Sequence, residues 1–291
     1  MRLYKKQKYI PYLYILPFLI SFVIFFVVPT VYSFALSFAK YPGYGAVKWI
    51  GTDNYHNILR YSRFWDALLR TLFYWVVKFV PVTVISFMIA VCLKSTLLSS
   101  RMQKIYKPIL FTPQVCAVTA SSLIFGLIFA NQGGVINSLT GRTFAWVESP
   151  VWAKWVVLIL MTWRGIGWFM VVYLSGLTSI NPEIYEAATI DGSNALQSLF
   201  HITIPLMKQT FLFAFIMDAI SSLRMYTEAA ILTGTNGGNA KPVAEGLLNL
   251  LMSNLNSGNF GMACAYGWII FVIVFIVSMA IFAMMREKEE G

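Results

Sequence analysis

The sequence predicts an all-α integral membrane protein with six transmembrane helices, and three observations carry that prediction. Of 291 residues, 58% are hydrophobic and only 12% are charged, with a mean hydropathy of +0.68. A soluble domain has about a quarter of its residues charged. Too few charges remain to cover a water-facing surface, so most of the solvent is lipid. Second, apolar runs near the roughly 20 residues needed to cross a bilayer recur six times. Third, these runs do not alternate strictly as the strands of a membrane barrel would. Helices satisfy their own backbone groups where lipid cannot.

The spans are expected at 12–38, 67–93, 108–130, 153–176, 208–232 and 260–285. The first follows Arg2, Lys5, Lys6 and Lys8, as the apolar core of a signal peptide would, with Ala35 and Ser37 as weak mimics of a cleavage site. The run from Tyr9 to Ala39 is uncharged and longer than the roughly 7–15 residues of such a core, so a retained helix is expected. With the N-terminus inside, Lys94, Arg101, Lys104, Lys107, Lys208, Arg286 and Lys288 also fall inside. Lys40, Lys48, Arg60, Arg63, Arg142 and Lys241 fall outside. That bias places both termini in the cytoplasm, as an even number of spans requires. The outer loops are then 39–66, 131–152 and 233–259, and the inner loops 94–107 and 177–207. The chain reads as one transmembrane domain over 1–291.

Several function classes are excluded. The net charge of +10 sits on a very apolar chain without a basic stripe, which suits anionic headgroups rather than nucleic acid. Cys92, Cys116 and Cys264 lie in apolar segments without a CxxC pair and read as small buried hydrophobes. His56 and His201 have no ligand partners nearby, so no metal site is expected. The Walker pattern is absent. Its nearest approach, 234–241, has the wrong spacing and reads as a turn-rich loop.

The inner loop 181–205 is the most informative segment. Asn181 suits an N-cap, Pro182 the first helical position, and Glu183 and Glu186 the positive helix end. Ile184, Ala187, Ala188 and Asp191 fall on one side of that helix. Gly192 permits a positive φ that ends it. Ser193 is expected to cap a second helix whose apolar face holds Leu196, Leu199, Phe200 and Ile204 before Pro205. The result is a helical hairpin at the cytoplasmic face, short and small-sided enough to enter a groove on another protein.

This loop resembles the EAA signature of the membrane subunits of binding-protein-dependent ABC importers. That pattern is Glu-Ala-Ala, three residues, Gly, nine residues, then Ile-x-Leu-Pro. It appears here as Glu186-Ala187-Ala188, Gly192 and Ile202-Thr203-Ile204-Pro205, with Ile204 in place of Leu. Further positions, Trp163, Gly167, 173–177, Ile180 and Pro182, together with Leu232-Thr233-Gly234, Gly237-Gly238, Pro17 and Pro29, are similar to the sugar-importing branch of the family, the maltose and multiple-sugar type. The resemblance implies the type I importer arrangement of six helices and a permease half-path without catalytic residues. It implies that Glu183, Tyr185, Glu186, Ala187, Ala188, Asp191 and Gly192 dock on a separate ATPase dimer. ATP and Mg then belong to that partner, and no cofactor to this chain. It also implies a second permease subunit, a paralogue, and an extracytoplasmic solute-binding protein, all in a bacterial or archaeal plasma membrane.

Ionisable residues inside the spans mark pairs or polar paths. Arg70, Lys78, Arg164, Asp218, Arg224 and Glu228 are the candidates. Arg164 and Asp218 sit near mid-span and are expected to pair. Arg224 and Glu228 are four residues apart on one expected helical face. Lys78 is expected to snorkel or to reach a carbonyl. The substrate path is expected to hold Trp163, Arg164, Asp218, Arg224, Tyr226 and Glu228. Aromatic faces would stack on sugar C–H surfaces and carboxylates would accept from hydroxyls. The alternatives are an importer of a non-sugar solute, an ion-coupled carrier using Asp218 and Glu228 as proton sites, and a membrane-embedded enzyme.

Overall fold

A computed structural model describes residues 10–95, 98–234 and 241–286, and these are mostly helical. Arg2, Lys5, Lys6, Lys8, Gly237, Gly238 and Lys288 lie outside the described residues. The chain divides into two compact units.

One unit comprises 1–61 with 251–271. Helix α1 (Ile10–Phe22) passes through a π-helical turn at Val23–Val27 into α2 (Val28–Ser37). Strands β1 (Ala39–Lys40) and β2 (Lys48–Trp49) pair antiparallel with Ala39 opposite Trp49, and α3 (Asp53–Arg60) follows. Buried Asn54 ties this turn together by donating from Nδ2 to the carbonyls of Ser37 (2.8 Å) and Ala39 (3.0 Å). Most large apolar side chains of α1 and α2 are exposed on the chain, as expected where lipid is the solvent.

The other unit comprises 62–250 with 272–291. Its spine is α4 (Ser62–Lys94). Then come α5 (Ser100–Val115), α6 (Val118–Ile128), α7 (Val135–Thr140) and the long α8 (Ala153–Ser179). Without a hydrophobic force between helices in lipid, packing and polar contacts hold them. Val82, Phe87, Ala90 and Leu93 of α4 pack on Phe169, Met170, Tyr173 and Leu177 of α8. Ser86 Oγ donates to the Ile166 carbonyl at 2.9 Å, and Tyr173 Oη to Thr83 Oγ1 at 3.1 Å. Gly167 lets α8 approach α5, because a Cβ there would strike the Leu110 carbonyl and Phe111 Cα.

Helix α9 (Pro182–Ile190) and α10 (Ala195–Ser198) lead through a π turn at Leu199–Thr203 into α11 (Ile204–Leu206). Then follow α12 (Lys208–Leu223), α13 (Thr227–Thr233), α14 (Leu247–Asn256) and α15 (Phe260–Arg286).

The structure corrects the expected spans. Four helices are continuous and apolar enough to cross a membrane: Tyr12–Ser37, Ser62–Lys94, Ala153–Ser179 and Phe260–Ala280. The expected third span is instead α5 and α6, bent by 90° across Cys116–Ala117, and Ala195–Leu206 meets Lys208–Leu223 at 64°. Among the described residues the count is therefore four, or up to six if each bent pair is one span. The expected fifth span also breaks after Leu223, before α13 begins at Thr227. Hydropathy registers an apolar run, and the bend at Cys116–Ala117, where both residues are apolar, leaves no mark in it. The cysteines are a second correction. Cys92 and Cys116 are exposed on the chain and Cys264 is half-buried, since an apolar residue in lipid need not face inward.

Candidate functional site

Two constructions stand out as candidate sites. The first is the hairpin 181–205. Asn181 Oδ1 accepts from the Glu183 amide at 3.1 Å, and Pro182 fills the first turn, as expected. The helix end is closed in the same local way. The Ser193 amide donates to the Ala188 carbonyl (2.9 Å) and the Gly192 amide to that of Thr189 (3.1 Å). With Gly192 at φ +82, this is a Schellman closure that satisfies carbonyls the helix leaves free. The second helix is capped by Asn194, not by Ser193. Asn194 Oδ1 accepts from the Gln197 amide, and Gln197 Oε1 from the Asn194 amide, both at 2.9 Å. The amide side chain suits this reciprocal box better than a hydroxyl one residue earlier.

The hairpin is braced from below. Tyr185 Oη and Thr203 Oγ1 lie 3.0 Å apart, joining its two arms. Lys94 sits 5.1 Å from the Tyr185 ring centroid and donates to the Leu177 carbonyl at 2.5 Å. The ends of α4 and α8 thus grip the base of the hairpin. Glu183, Glu186, Ala187, Asp191 and Gly192 remain exposed, and Ala188 is half-buried. The expected apolar face of the second arm is split. Leu199 and Ile204 pack on the α4–α8 core, while Leu196 and Phe200 are exposed at 67% and 61%, as is Ile190 at 87%. The π turn supplies the reason, because it rotates the face partway along.

The second construction is a cavity of about 510 Å³, within the roughly 300–1,000 Å³ usual for small-ligand sites. It lies where the two interruptions meet the spine: beside Gln114 and Val118 flanking the α5–α6 bend, and beside 224–228 at the α12–α13 break. Lys78 of α4, Arg164, Gly165, Trp168 and Phe169 of α8, and Met217, Ile220 and Ser221 of α12 also line it.

Each break frees backbone groups that lipid cannot satisfy. Arg164 serves the first, its Nη2 donating to the Cys116 carbonyl at 3.1 Å and its Nε to that of Pro113 at 3.4 Å. Its Nη1 lies 3.7 Å from Glu228 Oε1. Asn249 serves the second, donating from Nδ2 to the Tyr226 carbonyl at 3.1 Å while its Oδ1 accepts from the Gly246 amide at 3.0 Å. Segment 244–247 is itself pinned to α4. Arg63 makes a two-pronged contact with Glu245 (2.6 and 2.8 Å), Arg70 donates to the Glu245 carbonyl, and Tyr74 donates to that of Ala244.

The ion pairing differs from expectation. Asp218 is paired not with Arg164 but with Lys78, at 2.9 Å and with both side chains buried. Lys78 thus neither snorkels nor caps a carbonyl. Glu228 is not on a shared helical face with Arg224, because the chain turns at Met225 and Tyr226 between them. The turn takes Glu228 to Arg164, and α13 packs through Ala229 and Leu232 against α8. Of the expected path residues, Arg164, Arg224, Tyr226 and Glu228 line the cavity; Trp163 and Asp218 do not. Trp163 packs on Phe125 at 5.4 Å. Sequence patterning misses Gln114, Trp168, Ser221 and Thr227. A signal exists for two of them, since Trp168 is four residues after Arg164 and Ser221 three before Arg224.

Comparison with known proteins agrees with this architecture. Residues 49–287 match the family described as binding-protein-dependent transport system inner membrane component. The probable ABC transporter permease protein YesP of Bacillus subtilis is 30% identical over 286 residues, covering 96% of this chain and 91% of that protein. The lactose transport system permease protein LacF of Rhizobium radiobacter is 30% identical over 287 residues, covering 96% and 94%. The arabinooligosaccharides transport system permease protein AraP of Bacillus subtilis is 29% identical, covering 95% and 88%. The crystal structure of a bacterial ABC transporter involved in the import of the acidic polysaccharide alginate contains a chain of the same fold, with a TM-score of 0.85, 21% identity and 99% of both chains covered. This chain belongs to the family of inner-membrane components of binding-protein-dependent transport systems.

Proposed function

We propose that this family member is a permease subunit of an ATP-driven carbohydrate importer, forming half of the translocation path and coupling to a separate ATPase through the hairpin 181–205. The observation that carries the reading is the hairpin itself. Its glutamates, alanines and Asp191 stand on a helix closed at both ends and braced on α4 and α8. Exposed Ile190, Leu196 and Phe200 suit burial against another protein. A rigid hairpin fixed to the two central helices transmits a push; a floppy one would absorb it.

The cavity at the two breaks is the proposed substrate path, since discontinuous membrane helices recur at transporter binding sites. Carbohydrate as cargo rests on the relatives, whose names refer to lactose, arabinooligosaccharides, and trehalose and maltose. In this reading the hairpin and both termini face the cytoplasm, a second permease completes the path, and a solute-binding protein delivers cargo outside. ATP and Mg sit on the partner ATPase. Purification of the chain from native membranes in mild detergent, with partners identified by mass spectrometry, tests the assembly. A P-loop ATPase and a second permease are the expected companions. Recovery of the chain alone, with transport intact after reconstitution alone, would replace the importer by an ion-coupled carrier.

A further inference from the structure

Among the described residues, each cation on the cavity wall can be assigned a countercharge except one. Lys78 is matched by Asp218 at 2.9 Å. Arg164 faces Glu228 at 3.7 Å and gives its other donors to two helix-end carbonyls. Arg224, at the end of α12, lines the cavity, is exposed, and has no carboxylate partner among the described residues. Glu228, the only carboxylate among the described lining residues, is engaged by Arg164. The wall therefore carries one surplus positive charge, on a planar guanidinium shaped for two-pronged contact with a carboxylate. An ionisable group in a membrane protein is costly unless it faces a partner or a water-filled cavity, and one that lines a cavity marks a functional site. The same cavity wall offers Trp168 for a ring face and Gln114, Ser221 and Thr227 for hydroxyl groups.

We propose that the cavity selects an acidic carbohydrate, a uronate-bearing oligosaccharide whose carboxylate is held by Arg224. The proposal rests on the carbohydrate-importer reading and narrows its cargo. Glu228 is engaged by Arg164 at 3.7 Å, so the wall's single surplus positive charge matches one anionic group and not a second.

The test is calorimetric titration of the complete complex recovered from native membranes and placed in nanodiscs, without its binding protein. Two probes of equal length are compared, neutral maltotriose and trigalacturonate carrying a single free carboxylate, the other two being methyl esters. The wild-type complex is expected to bind the acidic probe about tenfold more tightly, the scale of one charged hydrogen-bonding contact. Arg224→Gln is expected to erase that preference, read as the ratio of the two affinities, and Arg224→Lys to retain part of it. Equal binding of both probes by the wild type would overturn the acidic cargo and leave carbohydrate import standing. A preference that survives Arg224→Gln would overturn the role of Arg224. Binding of neither probe would overturn this inference and the carbohydrate reading together.

Discussion

The hairpin and the cavity are built in opposite ways. The hairpin is one stretch of 25 residues whose caps and closures are made among near neighbours in sequence, and only its base is gripped from elsewhere. The cavity is assembled from α4, α5, α6, α8, α12 and α13, and its polar contacts span long separations, such as Arg164 to Cys116 and Lys78 to Asp218. Local construction makes a part that moves as a body. Distributed construction makes a part whose shape changes when its helices shift. A transporter needs both, a lever that does not bend and a site that does.

The strongest way to break the comparison is on the cavity side. Asp218→Asn leaves Lys78 buried without a countercharge, and the fold is expected to lose about 3–5 kcal/mol. The double variant Lys78→Met with Asp218→Leu is expected to recover most of it. Thermal unfolding of the purified complex checks both, and a double variant as weak as the single would show that the pair does more than neutralise charge.

On the hairpin side, Gly192→Pro demands φ near −65° where the chain holds +82. Transport is expected to fall roughly 5- to 150-fold, the usual range of a coupling free energy. Sugar binding in the cavity is expected to be unchanged. Paired uptake and titration measurements separate the two, and loss of binding would mean that the hairpin shapes the site.

Arg164→Lys sharpens the account of the breaks. An ammonium cannot hold two carbonyls and face Glu228 at once, so a cost of about 1–3 kcal/mol is expected. It should appear as faster hydrogen exchange around 113–121, with the α4–α8 core unchanged. The smallest effect is expected from Asn194→Ala, which removes one cap worth about 1 kcal/mol. The Gln197 amide should then exchange faster while the Schellman closure at Gly192 stays protected.

The same contrast explains which features are legible in the amino-acid sequence. Asn181, Pro182 and Gly192 act within a few residues of themselves, so their roles follow from spacing. Gly167 stands out only through resemblance, and its purpose, the approach of α8 to α5, needs both helices in view. The pairing of Lys78 with Asp218 does not follow from spacing, because it depends on which way α12 faces α4, 140 positions away in sequence. The bend at Cys116–Ala117 is hidden for another reason: both residues are apolar, so hydropathy runs through them. Asn249 gives no signal because its partner is a backbone carbonyl, that of Tyr226, which carries no side-chain pattern to read.

The central claim is that the hairpin couples and the cavity carries. It is tested most directly in proteoliposomes holding the complete complex, wild type or Glu186→Lys, with ATP-driven uptake of a labelled sugar and ATP hydrolysis recorded together. The account predicts that Glu186→Lys abolishes uptake, detaches the ATPase or frees its hydrolysis from sugar, and leaves sugar binding to the permease intact. Uptake at the wild-type rate would contradict it.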